Sequence, residues 1–497
     1  MSSLDAYDNI PYDRLSLAET HPDQLAVLAA LHGIDSPDPQ HCRVLELGAA
    51  SGGNLIPMAW FSPHARFVGL DLSQVQVDTA QALIRELGLA NISIERADVA
   101  DADPGNEGFD YVIAHGLYSW VPEHVRRAVL ALIRRQLRPH GVAYVSFNAL
   151  PGWHMRGMLR QMLLFHVRDA SGPVQCLQAA REFLQFLDSG LCDLPALSAE
   201  YLRTELATLK TAPDSYLFHE YLASVNEAFL FSDFVGQAQA AGLRYLCNAE
   251  LHYQFPATLG DAAEQALAAF GDPLLRQQYF DFLANRNFHQ ALLVRDDDRP
   301  YAQPDYERFA DFAFYADLVP PHKLDLRRAK AQSFNDRRGV SHAVSHPLTK
   351  AALAYLGMTY PRAVAFAELQ QIAQRQVAAS GDVRLAAQAD HLYGELFQLF
   401  AYRAVCASLH AGGALNEPVE PPCATALARA EARSGRLVDS RHTSLRLDAG
   451  TAAVVAMLDG TQERQALGIL LRQAVGGQRH ADPAAVLRKL ARRGALR

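Results

Sequence analysis

The sequence predicts an α/β chain built on a doubly wound, mainly parallel sheet, followed by mainly helical segments. Three observations predict it. Apolar runs of strand length alternate with helical patterns over the first 150 residues, the order that builds a parallel sheet. The first run, Val44-Leu45-Glu46-Leu47, passes directly into small residues, Gly48-Ala49-Ala50-Ser51-Gly52-Gly53, and then into a helical start at Asn54. The second run, Phe67-Val68-Gly69-Leu70, ends in an acid, Asp71.

The totals narrow the class. At 497 residues, 49% hydrophobic and 20% charged, the chain is globular and long enough for about two to four domains. Its formal net charge of −8 argues against nucleic acid as the partner. The six cysteines are scattered without a Cys-x-x-Cys, which reads as reduced thiols and no metal site. The start, Met1-Ser2-Ser3-Leu4-Asp5, lacks the basic and apolar regions of an export signal. No apolar run reaches the length of about 18 residues that a spanning helix needs. A soluble, cytoplasmic protein without a membrane span is expected.

Taken in order, the chain opens with a leader, 1–40, that carries Tyr7, Tyr12 and a helical stretch at 23–31. The two tyrosines read equally as a lid over a ligand or as packing for that helix. Strands are expected at 43–48, 66–71, 91–95, 109–114 and 142–147, with helices at 54–61, 74–87 and 123–137, and Gly88 closing the second. A sheet of this kind needs two more strands, the last antiparallel, and they are postponed. Residues 151–231 read as a helical insertion (155–167, 174–187, 199–209), serving as a cap or an oligomer contact, which leaves a homodimer open. A helix at 232–241, a strand at 243–255, a helix at 261–284 and a closing strand at 288–295 then complete the sheet. Asp296-Asp297-Asp298 before Pro300 reads as a solvated turn rather than a metal site.

Beyond it the pattern is helical at 346–356, 363–376 and 383–408, then at 451–458, 463–474 and 483–493 after a Pro-rich loop. The expected units are therefore 1–150, a ligand-binding core; 151–231, the insertion; 232–298, completion of the sheet; 299–415, a middle helical unit; and 416–497, a winged-helix-like unit. The last 37 residues carry eight Lys/Arg against two acids. On an acidic chain that edge favours a protein contact over nucleic acid.

Ligands of such sheets sit beyond the C-terminal strand ends, here Glu46/Gly48, Asp71, Asp98, His115 and Asn148. A turn of small residues lets backbone approach a ligand closely, and its amides suit polar ligand atoms. Asp71 is placed to accept from both hydroxyls of a ribose. Asp98 would accept from an adenine amino group, with Val99 over the ring face. A dinucleotide fingerprint would read Gly-x-Gly-x-x-Gly, but position 50 is Ala; the pattern is Glu-x-Gly-x-x-x-Gly. Glu46 would repel a pyrophosphate and suits the ammonium of S-adenosylmethionine. The expected cofactor residues are Glu46, Gly48, Ala49, Ala50, Ser51, Gly52, Asn54, Asp71, Leu72, Asp98, Val99 and His115.

The stretches Leu45-Glu46-Leu47-Gly48, Gly52-Gly53-Asn54-Leu55-Ile56-Pro57-Met58-Ala59, Phe67–Ser73, His115-Gly116-Leu117-Tyr118-Ser119-Trp120-Val121-Pro122, Tyr144–Asn148, Pro151-Gly152-Trp153-His154 and Tyr216-Leu217-Phe218-His219-Glu220-Tyr221 resemble class I S-adenosylmethionine-dependent methyltransferases carrying a methyltransferase regulatory domain. That group is similar to the rickettsial-type lysine methyltransferases of outer-membrane proteins. The resemblance covers 1–298 and is looser beyond. Ala49-Ala50 departs from the Cys-Ala or Cys-Gly common there, though Ala is small enough for the turn. The resemblance implies a Rossmann-like methyltransferase fold, and an acceptor that is a protein lysine, on a surface or secreted protein before export. A small-molecule or lipid acceptor, and a cofactor-binding regulator without turnover, are the alternatives.

Methyl transfer needs nucleophile, methyl and sulfur in line, and an amine must arrive uncharged, which an apolar aromatic channel favours. Tyr118 and Trp120 past the fourth strand, and Asn148, Trp153 and His154 past the fifth, are expected to form that channel. Tyr118 would orient the amine, His115 would relay a proton and Tyr12 would close the lid. Residues past about 300 are expected to deliver substrate rather than to touch the cofactor. No Asn/Asp-Pro-Pro-Tyr/Phe follows the fourth strand, and no cysteine lies past the fourth or fifth, which argues against adenine, glutamine or cytosine acceptors.

Overall fold

The structure, a computed structural model, describes residues 8, 10–195, 197–336, 339–381, 388–413, 421–461 and 483–496. Eight strands make the main sheet: β1 Arg43–Leu47, β2 Arg66–Asp71, β3 Ile92–Arg96, β4 Phe109–Ala114, β5 Leu137–Ala149, β6 Ala228–Phe229, β7 Leu243–Asn248 and β8 Phe288–Arg295. Their order is β3-β2-β1-β4-β5-β8-β7, with β6 beside the end of β5. The first five run parallel, and β8 runs antiparallel to both neighbours. All ligand-side ends of β1–β5 therefore face one edge, as a doubly wound sheet requires.

Local chemistry explains the elements. β4, central and fully buried, is an almost continuous apolar run. The helix Gln74–Leu87 starts where the Ser73 hydroxyl accepts from the Gln76 amide and stops at left-handed Gly88. It buries Val77, Ala80, Leu83 and Leu87 at helical spacing. The helix Pro22–Leu31 opens with proline at its first position and the His21 ring accepting from the Asp23 amide.

Alternating residues of the strands feed two cores. Val44, Phe67, Tyr111 and Tyr144 meet the helices Pro22–Leu31, Leu55–Phe61 and Gln74–Leu87 on one face. Leu45, Leu70, Val112 and Val145 meet Glu123–Gln136 and Phe231–Ala240 on the other. The insertion, with helices Trp153–His166, Pro173–Leu191 and Leu197–Thr211, has a cluster of its own.

The structure shifts several expected elements. β5 begins at Leu137, because left-handed His140 and a register shift carry the strand past Pro139. β7 stops at Asn248, whose side chain turns the chain by accepting from the Glu250 amide, so Leu251–Gln254 form a tight helical turn instead of strand. The expected helix 261–284 is two, Asp261–Leu267 and Pro273–Leu283, broken at Gly271-Asp272-Pro273. Past 300 the described chain is mainly helical, as expected, but short strands are woven in: Val364–Ala365 and Cys406–Ser408 pair with Ala313–Tyr315, at the ends of stretches read as helix. The hairpin Arg436–Val438/Ser444–Arg446 lies between the helices Ala426–Ala432 and Ala449–Met457. The expected helix at 463–474, and Tyr7, lie outside the described residues. Phe309, Leu348, Leu353 and Leu396 share the core of the Pro22–Leu31 face, so this part of the chain packs on the sheet's helical layer rather than apart from it. Among the described residues no helix is long and apolar enough to cross a membrane.

Candidate functional site

The turn after β1 alternates left-handed residues: Gly48 at φ 78°, Ala50 at 45° and Gly52 at 71°. Such a turn aims successive amides into one concavity. The Gly48 and Ala49 amides donate to the Leu70 carbonyl at 2.8 and 3.0 Å, and the Ala50 amide donates to Asp71 Oδ2 at 2.8 Å. The Ser73 amide donates to Asp71 Oδ1 at 2.9 Å. The Leu72 amide also bonds this carboxylate, whose two oxygens together offer about four acceptor sites. Burial outweighs these bonds and raises the Asp71 pKa.

A cavity of about 390 Å³ opens here, large enough to take most of a nucleoside-sized ligand. Nine expected residues line it: Tyr12, Gly48, Ala50, Asp71, Leu72, Asp98, Val99, His115 and Trp120. Ala49, Ser51, Gly52 and Asn54 do not. They form the buried back of the turn, where a Cβ on Gly52 would meet Ile56 and Ile94. Glu46 is also buried, beneath the turn. Its Oε1 accepts from Asn54 Nδ2 at 2.8 Å, while Oε2 has no hydrogen-bond partner among the described residues. Burial pushes its pKa up to about 7; the Asn54 bond opposes this and nearby Asp71 adds to it. A buried carboxylate oxygen with no protein partner among the described residues, beside a cavity lined by Asp71, fits S-adenosylmethionine, whose ammonium would satisfy it.

His115 lines the cavity with its Nδ1 held 3.0 Å from the Tyr144 hydroxyl, and burial lowers its pKa, so the ring is uncharged at neutral pH. The roof comes from elsewhere. Tyr12 stacks on His219 at 3.9 Å between ring centres, His219 Nε2 meets the Ile10 carbonyl at 2.6 Å, and the Trp120 ring N–H donates to the His219 carbonyl at 3.1 Å. His219 and Phe218 belong to a π-helical turn, Phe218–Leu222, a local form often found at functional sites.

The expected aromatic channel is corrected. Tyr118 is fully buried, its hydroxyl donates to Gln237 Oε1 at 2.6 Å, and its ring packs edge-on against Phe147, Phe229 and Phe234. It is a core residue and does not line the cavity. Asn148 is locked in the sheet between Ala228 and Phe288, with Nδ2 donating to Asn226 at 2.8 Å. Trp153, 5% exposed, opens the insertion beneath Arg156. β5 runs on to Ala149, so Asn148 lies within the strand rather than past it, and Trp153 opens the helix that follows. Trp120 is joined instead by Phe218, His219 and residues 223–225. The Tyr216–Tyr221 motif marked that stretch, but nothing in its spacing located it over the cavity.

The chain has relatives. Residues 44–141 match the methyltransferase domain family, and residues 213–295 match a family described as a predicted methyltransferase regulatory domain. An uncharacterized protein of Rickettsia prowazekii is 35% identical over 353 residues, 70% of this chain and 64% of its own length. The chain thus spans less than two thirds of that relative. A second uncharacterized protein of the same organism is 31% identical over 241 residues, 48% of this chain and 96% of its own. Among solved structures, PKMT2 from Rickettsia typhi superimposes with a TM-score of 0.83 at 25% identity, covering 97% of this chain and 96% of that one. The same protein in complex with AdoHcy gives 0.84 at 24% identity, covering 98% and 100%.

Proposed function

Given that this chain belongs to the class I S-adenosylmethionine-dependent methyltransferases that carry a methyltransferase regulatory domain, we propose that it methylates the side-chain amine of a lysine in a polypeptide. When bound, S-adenosylmethionine supplies a methyl group on a sulfonium that leaves as a neutral thioether, so no general acid is needed. Asp71 would hold the ribose, Asp98 and Val99 the adenine, and Glu46 the ammonium of the amino-acid end. The reading of an amine acceptor is carried by one observation: the cavity pairs an uncharged His115 with aromatic walls, Tyr12, Trp120 and Phe218. Such walls disfavour an ammonium and admit an aliphatic stem. The amine attacks uncharged, and His115 would relay the proton that the methylated ammonium then sheds. The structural likeness to PKMT2 beyond the methyltransferase fold supports a polypeptide acceptor, because so much chain outside the sheet suits a partner needing distant contacts. The same proposal keeps 1–150 with 232–298 as the cofactor unit and 151–231 as its cap.

The test is transfer from methyl-labelled cofactor to lysine-containing polypeptides, followed by total acid hydrolysis. The expected product is N-methylated lysine, with a rate rising toward pH of about 8–9 as amine is freed. Label on a carboxylate, an RNA base or a free metabolite would overturn the acceptor and leave the cofactor assignment intact.

A further inference from the structure

Asn54 is bonded from three parts of the chain at once. Its Nδ2 donates to Glu46 Oε1 at 2.8 Å and to Thr20 Oγ1 at 2.9 Å. Its Oδ1 accepts from the Leu17 amide at 3.0 Å and meets His442 Nε2 at 2.8 Å. The Leu17 amide can only donate, so the oxygen of Asn54 is fixed on that side and His442 Nε2 must carry a hydrogen. A residue 388 positions away thus completes the shell around the carboxylate beneath the cofactor turn.

His442 is held for that contact. It sits at the tip of the hairpin Arg436–Val438/Ser444–Arg446, at φ 58°. A side chain in the left-handed region persists when its surroundings over-determine it. Here Asp439 does so: its Oδ1 accepts from the Arg441 and Thr443 amides at 3.0 and 2.9 Å, and its Oδ2 accepts from the Tyr360 hydroxyl and from Arg493, both at 2.7 Å. The neighbouring chain clamps the leader on the same turn. Glu431 pairs with Arg14 at 2.8 Å and Arg436 with Asp13 at 3.5 Å, and the Arg14–Leu15 backbone lies where a Cβ on Gly53 would be.

We propose that His442 is a positioning residue of the cofactor site: through Asn54 it holds the Glu46 carboxylate, so cofactor affinity depends on the hairpin being seated. The inference rests on the reading of the cavity as the S-adenosylmethionine site. Linkage makes the dependence mutual: cofactor must in turn stabilise the hairpin.

The experiment is calorimetric titration of the full-length protein with S-adenosylhomocysteine, alongside thermal melting to confirm folding. His442→Ala should bind about tenfold more weakly. His442→Gln, whose amide can donate to Asn54, should recover most of the loss. Wild-type affinity in a folded His442→Ala protein would overturn the proposal, and so would His442→Gln binding as weakly as His442→Ala. Hydrogen exchange on the wild-type protein gives a reading without any substitution: ligand should slow exchange of the amides of 436–446, and unchanged exchange in a protein that binds would overturn it. A wild-type protein that does not bind at all would overturn the cofactor reading and this inference with it.

Discussion

At one end of the cavity, Asp71, Leu72, Asp98 and Val99 follow within a few residues of the strands that carry them. At the other, the roof and the support beneath the turn come from 10–20, 218–225 and 442. The first end is positioned by the sheet: once the strands pair, the acids have nowhere else to go. The second exists only when three distant pieces of chain dock. The contrast teaches that the two ends of the cavity are written at different ranges, one local and one tertiary.

The strongest way to break the contrast is to end the chain at 298. That removes Phe309, Leu348, Leu353 and Leu396 from the core shared with Pro22–Leu31, and His442 from Asn54. At about 1.5–3 kcal/mol for each large apolar side chain, the loss rivals a domain's whole stability of about 5–15 kcal/mol. The expected outcome is no cooperative melting and no calorimetric binding of S-adenosylhomocysteine. A folded, binding fragment would show the two ends to be independent.

Asp71→Ala tests the local end. It removes an acceptor for two backbone amides and, on the proposed reading, for the ribose hydroxyls. A cost of about 2–4 kcal/mol lowers cofactor affinity by about 30- to 1000-fold. Unchanged affinity in the folded variant would remove Asp71 from the site.

Glu46 joins the ends, and pH should expose it. Its pKa, raised to about 7 by burial, lies above its unfolded value, so the ligand-free fold gains stability from it at low pH and loses that stability as pH rises from the unfolded value to about 7. Pairing with an ammonium needs the ionised form, so cofactor affinity should rise about fivefold from pH 6 to 7, about twofold more by pH 8, and then level. Calorimetry across this range is the check. Glu46→Gln should flatten the profile and bind weakly throughout.

Tyr118→Phe sharpens the comparison from the other side. Its hydroxyl bonds half-buried Gln237 rather than facing the cavity, so the change should cost about 0.5–1.5 kcal/mol of stability and leave kcat/KM nearly intact. A collapse of kcat with unchanged melting would return Tyr118 to the chemistry.

These expectations trace what was legible in the sequence. The helix Gln74–Leu87 and the strands β2, β4 and β8 were readable to the residue, because caps, apolar period and turn residues agree there. Asp71 and Asp98 were readable for the same reason. Tyr118 misled because a strand-end position says which edge a residue reaches, not which way its ring turns in the core. His219 lay inside a marked motif, yet its place over Tyr12 depends on how the insertion returns to the sheet. His442 left no local sign: a histidine in a short hairpin between charged residues resembles any surface turn until the fold buries it. The glycine at 53 was legible as a turn residue, but not as the bed for Arg14 and Leu15.

The leader lies between the cofactor turn and the hairpin, and this bears on how the protein is made. Residues 10–20 leave the ribosome several hundred residues before their partners Glu431, Arg436 and the His442-bearing tip. Sheet strands β1–β5 can pair as they emerge, since their contacts are close in sequence. The strap over the turn cannot settle until the hairpin has emerged. On the proposed reading, a nascent chain displays Asp71 and Asp98 before it has the means to grip a cofactor. Competence for binding would then arrive with the hairpin, well after the sheet that carries the acids.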